Sequence, residues 1–321
     1  MGVQGDRRFV NEQSLVMACF VSLLTDLEAE VRAAAVGHLA KMVAFGGPSH
    51  FTAHLQPLLP ALADDVVMEV RSKCALALMD AAHGGTLDDS LILQSFGPLL
   101  ESFLQDEFHE VQLQVLTNLH KIARLLPGLG GVVTALLQMS KATNWRVREA
   151  VAKLLPHLAE ARGLEFFASV LMEPAWLTLL LDPVASVRVA IVQGMPLLVT
   201  VAGEDWILAE LLPQHVRIYN AHSNSYLVRM TILQAHIEMT SACQAGPQGL
   251  WNDGILQIMR GLSDKVANVR MVSARGLGRL VANGDPAMVQ AQIRPALEKR
   301  AQEDEDTDCR LACQWALEQV K

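Results

Sequence analysis

Apolar residues recur along this chain at helical spacing, in paired stripes separated by short polar turns. In the first pair, Phe20, Leu23, Leu24 and Leu27 mark one apolar face, and Val31, Ala34, Ala35, Leu39 and Met42 mark the next. Both runs follow the i, i+3, i+4, i+7 pattern of amphipathic helices, so each pair predicts helix A, a turn and helix B. The turn carries a motif: an Asp, four residues, then Val-Arg or a close variant. It reads Asp26…Val31-Arg32, Asp65…Val70-Arg71, Asp106…Val111-Gln112, Asp182…Val187-Arg188, Asp264…Val269-Arg270 and Asp304…Cys309-Arg310. Val147-Arg148 and Val228-Arg229 keep the second half alone. The last motif positions are 32, 71, 112, 148, 188, 229, 270 and 310. Successive copies therefore recur about every forty residues, the period of two-helix HEAT or armadillo units.

Glycine punctuates the same rhythm. Gly46-Gly47-Pro48, Gly84-Gly85, Pro127-Gly128, Gly163, Gly203, Gly246-Pro247 and Gly284-Asp285-Pro286 each follow one of the first seven motifs. The interval is the length of a helix of about four turns, which needs its C-terminal cap there. The expected architecture is therefore all-α: an α-α superhelix, or HEAT-repeat solenoid, of about eight two-helix repeats in one domain spanning 1–321. The repeats fall at approximately 9–45, 46–83, 84–127, 128–162, 163–202, 203–245, 246–284 and 285–321.

In a stack of such units equivalent residues form columns about 10 Å apart. A column of Asp beside a column of Arg lets each turn bond its neighbour through charge-assisted hydrogen bonds. Asp26, Arg32, Asp65, Arg71, Arg148, Asp182, Arg188, Arg229, Asp264 and Arg270 are accordingly read as a structural ladder and not as catalytic acids.

Composition sharpens this picture. Hydrophobic residues make up 51% of the chain and aromatics only 5%, a mixture that suits helix packed on helix. Mean hydropathy is +0.26, yet the most apolar stretch, Trp176 to Val201, is interrupted by Asp182 and Arg188. No run reaches the roughly 18 uncharged apolar residues of a spanning helix, so no membrane partner is expected. The N-terminus lacks an apolar signal core, and Asp6 stands where a myristoylation signal has Ser or Thr. Five cysteines without a CxxC pair suit reduced thiols and a cytoplasmic, also nuclear, location. A net charge of −8 argues against nucleic acid, which calls for a basic stripe.

Catalytic chemistry is not legible. His50 and His54 are four apart but lack the Glu of a zinc-binding HExxH pair, so neither a metal nor another cofactor is expected. A HEAT-repeat di-iron hydroxylase would need several His-Glu dipeptides, and the chain has one, His109-Glu110. Cys309 and Cys313 share a helix face, with Cys309 in the apolar Val slot, which reads as core packing. Gly128, Gly130 and Gly131 lie in a turn and Gly276 and Gly278 within a helix; none follows a strand, so phosphate binding is unsupported.

What remains is protein binding along the A–B turns. Most turns place small or charged residues before the Val-Arg: Ala29-Glu30, Met68-Glu69, Ala185-Ser186 and Ala267-Asn268. Repeat four instead has Trp145-Arg146 and repeat six Tyr226-Leu227. Trp, Tyr and Arg dominate interface hot spots because they bury large areas at small entropic cost. The alternative is an adaptor or transport receptor gripping cargo on its concave helix face.

The stretches Asp26-Leu-Glu-Ala-Glu-Val-Arg-Ala-Ala-Ala35, Asn144-Trp-Arg-Val-Arg148, Gly163-Leu-Glu-Phe-Phe167, Tyr226-Leu-Val-Arg-Met-Thr231 and Asp264-Lys-Val-Ala-Asn-Val-Arg270 carry a more specific resemblance. The chain resembles the scaffolding (regulatory A) subunit family of protein phosphatase 2A, over roughly residues 15 to 321 and in order. Its eight repeats are similar to the last eight of that family's fifteen. The resemblance implies a non-catalytic scaffold that binds a serine/threonine phosphatase catalytic subunit through the turns of repeats four to eight, with regulatory B-type subunits as further partners. Trp145, Arg146, Tyr226, Leu227, Val266 and Asn268 match family contact positions. Ala185 stands where the family has an aromatic, Val228 where it has His, and Gln112 where it has a ladder Arg.

Overall fold

The computed structural model describes residues 2–246, 248–282 and 284–320, with side chains from residue 12 onward. Pro247, in the expected Gly246-Pro247 turn, lies outside them. All regular structure among the described residues is helical. Residue contacts divide the chain into two compact units, Met1–Leu154 and Leu155–Lys321.

In the first unit, Gly2–Leu24 is followed by Ala29–Val36 and Leu39–His50. Phe51–Ala63 and Met68–His83 form the next pair, then Asp89–Leu104 with His109–Asn118, and Gly130–Met139 leads into the helix Trp145–Arg162, within which the first unit ends. In the second unit, Leu164–Leu180 precedes Ala185–Gln193 and Met195–Ala202. Glu204–Ala221 then pairs with Tyr226–Ser241, Leu250–Gly261 with Ala267–Val281, and Pro286–Glu303 with Thr307–Glu318.

Proline shapes the first helix of several repeats. It donates no backbone N–H, and its ring collides with the preceding turn. The chain widens into π-type turns at Phe51–Leu55, Phe167–Leu177, Ile207–Leu211 and Val289–Ile293, close to Pro57, Pro174, Pro213 and Pro295. Helices also stop where glycine permits. Gly163 (φ 81°) and Gly203 (φ 75°) take the left-handed conformation that side chains disfavour, and donate to the carbonyls of Ala159 and Val199 at 2.9 Å.

The motif valines fix the core. Val70, Val111, Val147, Val187 and Val269 are wholly buried, with Cys309 in the equivalent place at 1% exposure. Aromatic edges add shape: Phe51 meets Phe96, and Phe167 meets Trp176, at ring centroid distances of 5.8 and 5.5 Å. Gly276 and Gly278 serve packing. A Cβ at Gly276 would stand 2.2 Å from Ile237 Cδ1, and one at Gly278 2.5 Å from Trp315 Cζ3, so the second helices of consecutive repeats approach closely there.

One expectation needs correction. Leu27 is 96% exposed, because the first helix ends at Leu24 and the apolar stripe does not continue through the turn, and Leu23 inside that helix is 45% exposed. Residues Ala185–Ala202 are also long and apolar enough to cross a membrane, although Arg188 lies within them. Here this stretch is two helices meeting at Gly194, with Val187, Ile191, Met195 and Leu198 fully buried in the protein interior, as in the core of a helical stack.

Candidate protein-binding turns

Each A–B turn is fixed by one long side chain, which in several repeats also joins the next repeat. The motif arginine reaches back through Nη1 to a backbone carbonyl six residues earlier: Arg32 to Asp26, Arg71 to Asp65, Arg148 to Ala142, Arg188 to Asp182, Arg229 to Ser223, Arg270 to Asp264 and Arg310 to Asp304, at 2.6 to 2.9 Å. Gln112 Nε2 makes the same bond to Asp106 at 2.8 Å. The staple therefore fixes the turn whether or not an Asp begins it.

The second task joins repeats. In the first unit Arg32 and Arg71 each hold the next repeat's Asp, Asp65 and Asp106, through Nε and Nη2. In the second unit Arg229 grips Asp264 and Arg270 grips Asp304 in the same bidentate way, at 2.6 to 2.8 Å. The hydrogen bond from Arg32 holds the Asp65 carboxyl below the usual carboxylate range, and Arg270 does the same for Asp304. Each Asp further accepts the N–H two residues on, as Asp65 from Val67 and Asp264 from Val266, which sets the backbone entering the next helix.

Repeat six departs. Ser223 stands where the motif has Asp, and Arg188 Nε donates instead to Thr231 Oγ1 at 3.0 Å. Thr231 donates in turn to the Leu227 carbonyl at 2.9 Å.

On these fixed turns stand the expected contact residues. Trp145 opens its helix half-buried, with the exposed Arg146 guanidinium 4.5 Å from its ring centre. Tyr226 and Leu227 are 42% and 45% exposed at the start of a helix capped by Ser225, whose Oγ accepts from Val228 N. Val266 is half-buried, Asn268 is exposed, and Ala185 presents only a methyl. Tyr226-Leu227 and Val266–Asn268 lie at one joint, flanking the Arg229–Asp264 bridge.

Sequence reasoning left Asp106 and Asp304 out of the ladder although both begin a motif, and it did not find Thr231. It also missed Tyr219, whose hydroxyl lies 3.4 Å from Asp264 while Arg260 covers its ring. The histidines and cysteines do not assemble: among the described residues no three His, Cys, Asp or Glu side chains converge as a metal site.

No family model matches this chain, and no curated protein matches it. Solved structures do. An importin β crystal structure obtained in ammonium sulfate shares 13% identity at TM-score 0.58, over 95% of this chain and 41% of that one. Kap95p bound to RanGDP shares 15% at TM-score 0.60, over 99% and 43%. An engineered protein covers 94% of this chain at TM-score 0.47 and 19% identity. The chain thus spans less than half the length of the two importin-type structures. Their likeness establishes the fold: an all-α HEAT-repeat solenoid.

Proposed function

We propose that this chain is a non-catalytic scaffold that holds the catalytic subunit of a protein phosphatase 2A-type serine/threonine phosphatase on the turns of repeats four to eight. The observation that carries the reading is the pair Tyr226-Leu227: two large apolar side chains left nearly half exposed on a turn whose backbone is pinned by Arg229. A rigid, preorganised apolar anchor loses little entropy on binding, which is what an interface hot spot requires. Trp145 with Arg146, and Val266 with Asn268, supply the same turn chemistry and match the family positions that the sequence resemblance implies.

The experiment is affinity measurement by calorimetry against purified phosphatase catalytic subunit. Replacing Tyr226 and Leu227 with Ala should weaken binding by roughly 30-fold or more, the hot-spot scale of about 2 kcal/mol. W145A, tested alone, should weaken it less, since that ring is already half-buried. Undiminished binding by the Tyr226/Leu227 variant would rule out the ridge.

A second reading, cargo held on the second helices, is favoured by one feature. Arg275, Arg279, Asp308, Leu311 and Trp315 line a groove of about 470 Å³ between Ala267–Val281 and Thr307–Glu318. R275E with L311E would then abolish binding where the turn variants do not.

A further inference from the structure

Three consecutive turns of the first unit carry apolar side chains at their tips. Leu27 in repeat one and Val66 in repeat two, each one residue after the motif Asp, are the most exposed large apolar residues among those described, Val66 at 90%. Repeat three has Glu107 in that slot and presents Phe108 beside it, 42% exposed, in the slot where repeat two has the exposed Val67. Val66 has a repeat on either side of it, so its exposure belongs to the turn and not to an end of the stack. In repeats four to eight the slot after the turn's first residue holds Thr143, Pro183, Asn224, Lys265 and Glu305, all polar residues or proline. Apolar residues scattered singly over a surface mean little, whereas apolar residues in register on adjacent turns mark a contact.

The row is held still. Glu28, Val67 and Phe108 each donate their backbone N–H to the Asp two residues earlier at 2.9 Å, and Arg32, Arg71 and Gln112 staple the same three turns. The Arg32–Asp65 and Arg71–Asp106 bridges then fix each turn against the next, and the Arg71 guanidinium lies 5.4 Å from the Phe108 ring centre. A partner therefore meets apolar groups that are already ordered. The charge around them is of one sign. Glu28 and Glu30, Asp64 and Glu69, and Glu107 and Glu110 are exposed, while no Lys or Arg falls within 26–30, 64–69 or 106–110. Of these acids only Glu69 is in an ion pair among the described residues, with Lys73 at 2.9 Å.

We infer that this ridge binds a basic amphipathic helix of a partner protein, laid along repeats one to three with its apolar stripe on Leu27, Val66 and Phe108. Equivalent turns of stacked repeats stand about 10 Å apart, and about seven residues of α-helix advance the same distance and return to nearly the same face. An extended segment covers that distance in about three residues, which turns the third side chain away. The fitting stripe is one bulky apolar residue about every seven, over about 18 residues, flanked by Lys and Arg that face the acids of the ridge. This site is separate from the turns of repeats four to eight on which the phosphatase reading rests.

A displayed library of random peptides, each of about 20 residues, selected on the intact purified chain tests this, with the affinity of each selected peptide then measured by fluorescence anisotropy. Selected peptides should carry net positive charge and apolar residues at heptad spacing, and should become helical on binding. V66D and F108A, both at exposed positions, should each weaken their binding by about 10-fold or more. E107K/E110K leaves the apolar tips in place and should weaken binding by about 10-fold at low salt and by less at high salt. Circular dichroism of each variant checks that the helices persist. Y226A/L227A should leave the peptide affinity unchanged, so this site and the phosphatase site can fail independently. Selected peptides that are acidic or lack the heptad pattern overturn the inference. So does binding to V66D as tight as to the unaltered chain, and so does a library that yields no binder.

Discussion

Two joints in the second unit connect consecutive repeats with the same arginine and different acceptors. At the last joint Arg270 closes a bidentate bridge on Asp304, both side chains being nearly removed from solvent at 6% and 1% exposure. Between repeats five and six, Arg188 finds only the Thr231 hydroxyl, through one bond at 3.0 Å, and stays half-exposed. Both arginines make the backbone staple, at 2.9 and 2.6 Å. Forming the turn and joining the repeats are thus separable tasks: the first needs any long donor six residues on, the second needs a carboxylate in the next turn. Repeat three makes the same point from the other direction, since Gln112 keeps the staple although the next turn, which opens on Ala142, offers no carboxylate to bridge.

The largest break comes from removing the acceptor at the last joint. D304A removes both hydrogen bonds of the buried Arg270 guanidinium to a carboxylate and leaves only the exposed Glu305, 3.6 Å from Nη2, and stranding one member of a buried ion pair costs on the order of 3–5 kcal/mol. Denaturant unfolding should show that loss, most of it in the transition of the last repeats. T231V at the weaker joint removes a single bond to a half-exposed arginine and should cost only about 1 kcal/mol. Equal losses at the two joints would show that the bridge geometry carries no weight.

The same two regions respond to acid in different windows. His215 and His236 stack at 5.6 Å, fully buried between the two helices of repeat six, with none of their four ring nitrogens hydrogen-bonded among the described residues. Burial pushes the His215 imidazole down to about 4 and His236 well below its ordinary value, the latter with help from His215 and Arg260. An unfolded histidine takes up its proton near pH 6.5, whereas the folded one resists until about 4. The stability present above pH 6.5 is therefore lost progressively as pH falls toward 4. For His215 alone the loss between pH 7.5 and 5 should be about 2 kcal/mol. The Asp304 carboxyl, held low by its hydrogen bond from Arg270, weakens the last joint only below the ordinary carboxylate range, near pH 4. Unfolding followed at pH 7.5, 6 and 5 should show the decline, and a His215→Phe/His236→Phe variant should flatten it. An unchanged slope in that variant would remove the histidines as its cause.

The ladder was legible in sequence because its arginines recur about every forty residues, a beat that only stacked repeats impose. The exposure of the turn residues followed from their position, just ahead of a stapled arginine. Thr231 was not legible: it lies past Arg229 inside the next helix, where no motif residue is due, and only the fold brings it to Arg188. The His215–His236 pair stayed hidden for a similar reason, its members falling on two helices of unrelated phase. Gly276 and Gly278 were visible but unexplained until Ile237 and Trp315 were seen to occupy the space a side chain would need. Leu27 misled because an apolar stripe does not mark where its helix ends.

The smallest expected effect sharpens the comparison most. If the weaker joint lacks only its carboxylate, S223D should supply one. Ser223 lies six residues before Arg229, the spacing of Asp264 from Arg270, and its carbonyl already accepts the Arg229 staple at 2.6 Å. Its side chain is exposed, so the substitution requires no repacking. Arg188 then gains a bidentate acceptor in place of the single Thr231 bond, and the new Asp caps the turn toward Ser225. Because Arg188 is half-exposed, solvent screens the pair, and the gain should be no more than about 1 kcal/mol. S223D should raise the unfolding midpoint above pH 5 and lose that advantage near pH 4, as its carboxyl protonates. It should also make T231V nearly neutral in the double variant, since the two acceptors serve one guanidinium and cannot add. Full additivity of S223D and T231V would mean that Arg188 does not exchange one partner for the other, and that the difference between the joints lies outside the ladder.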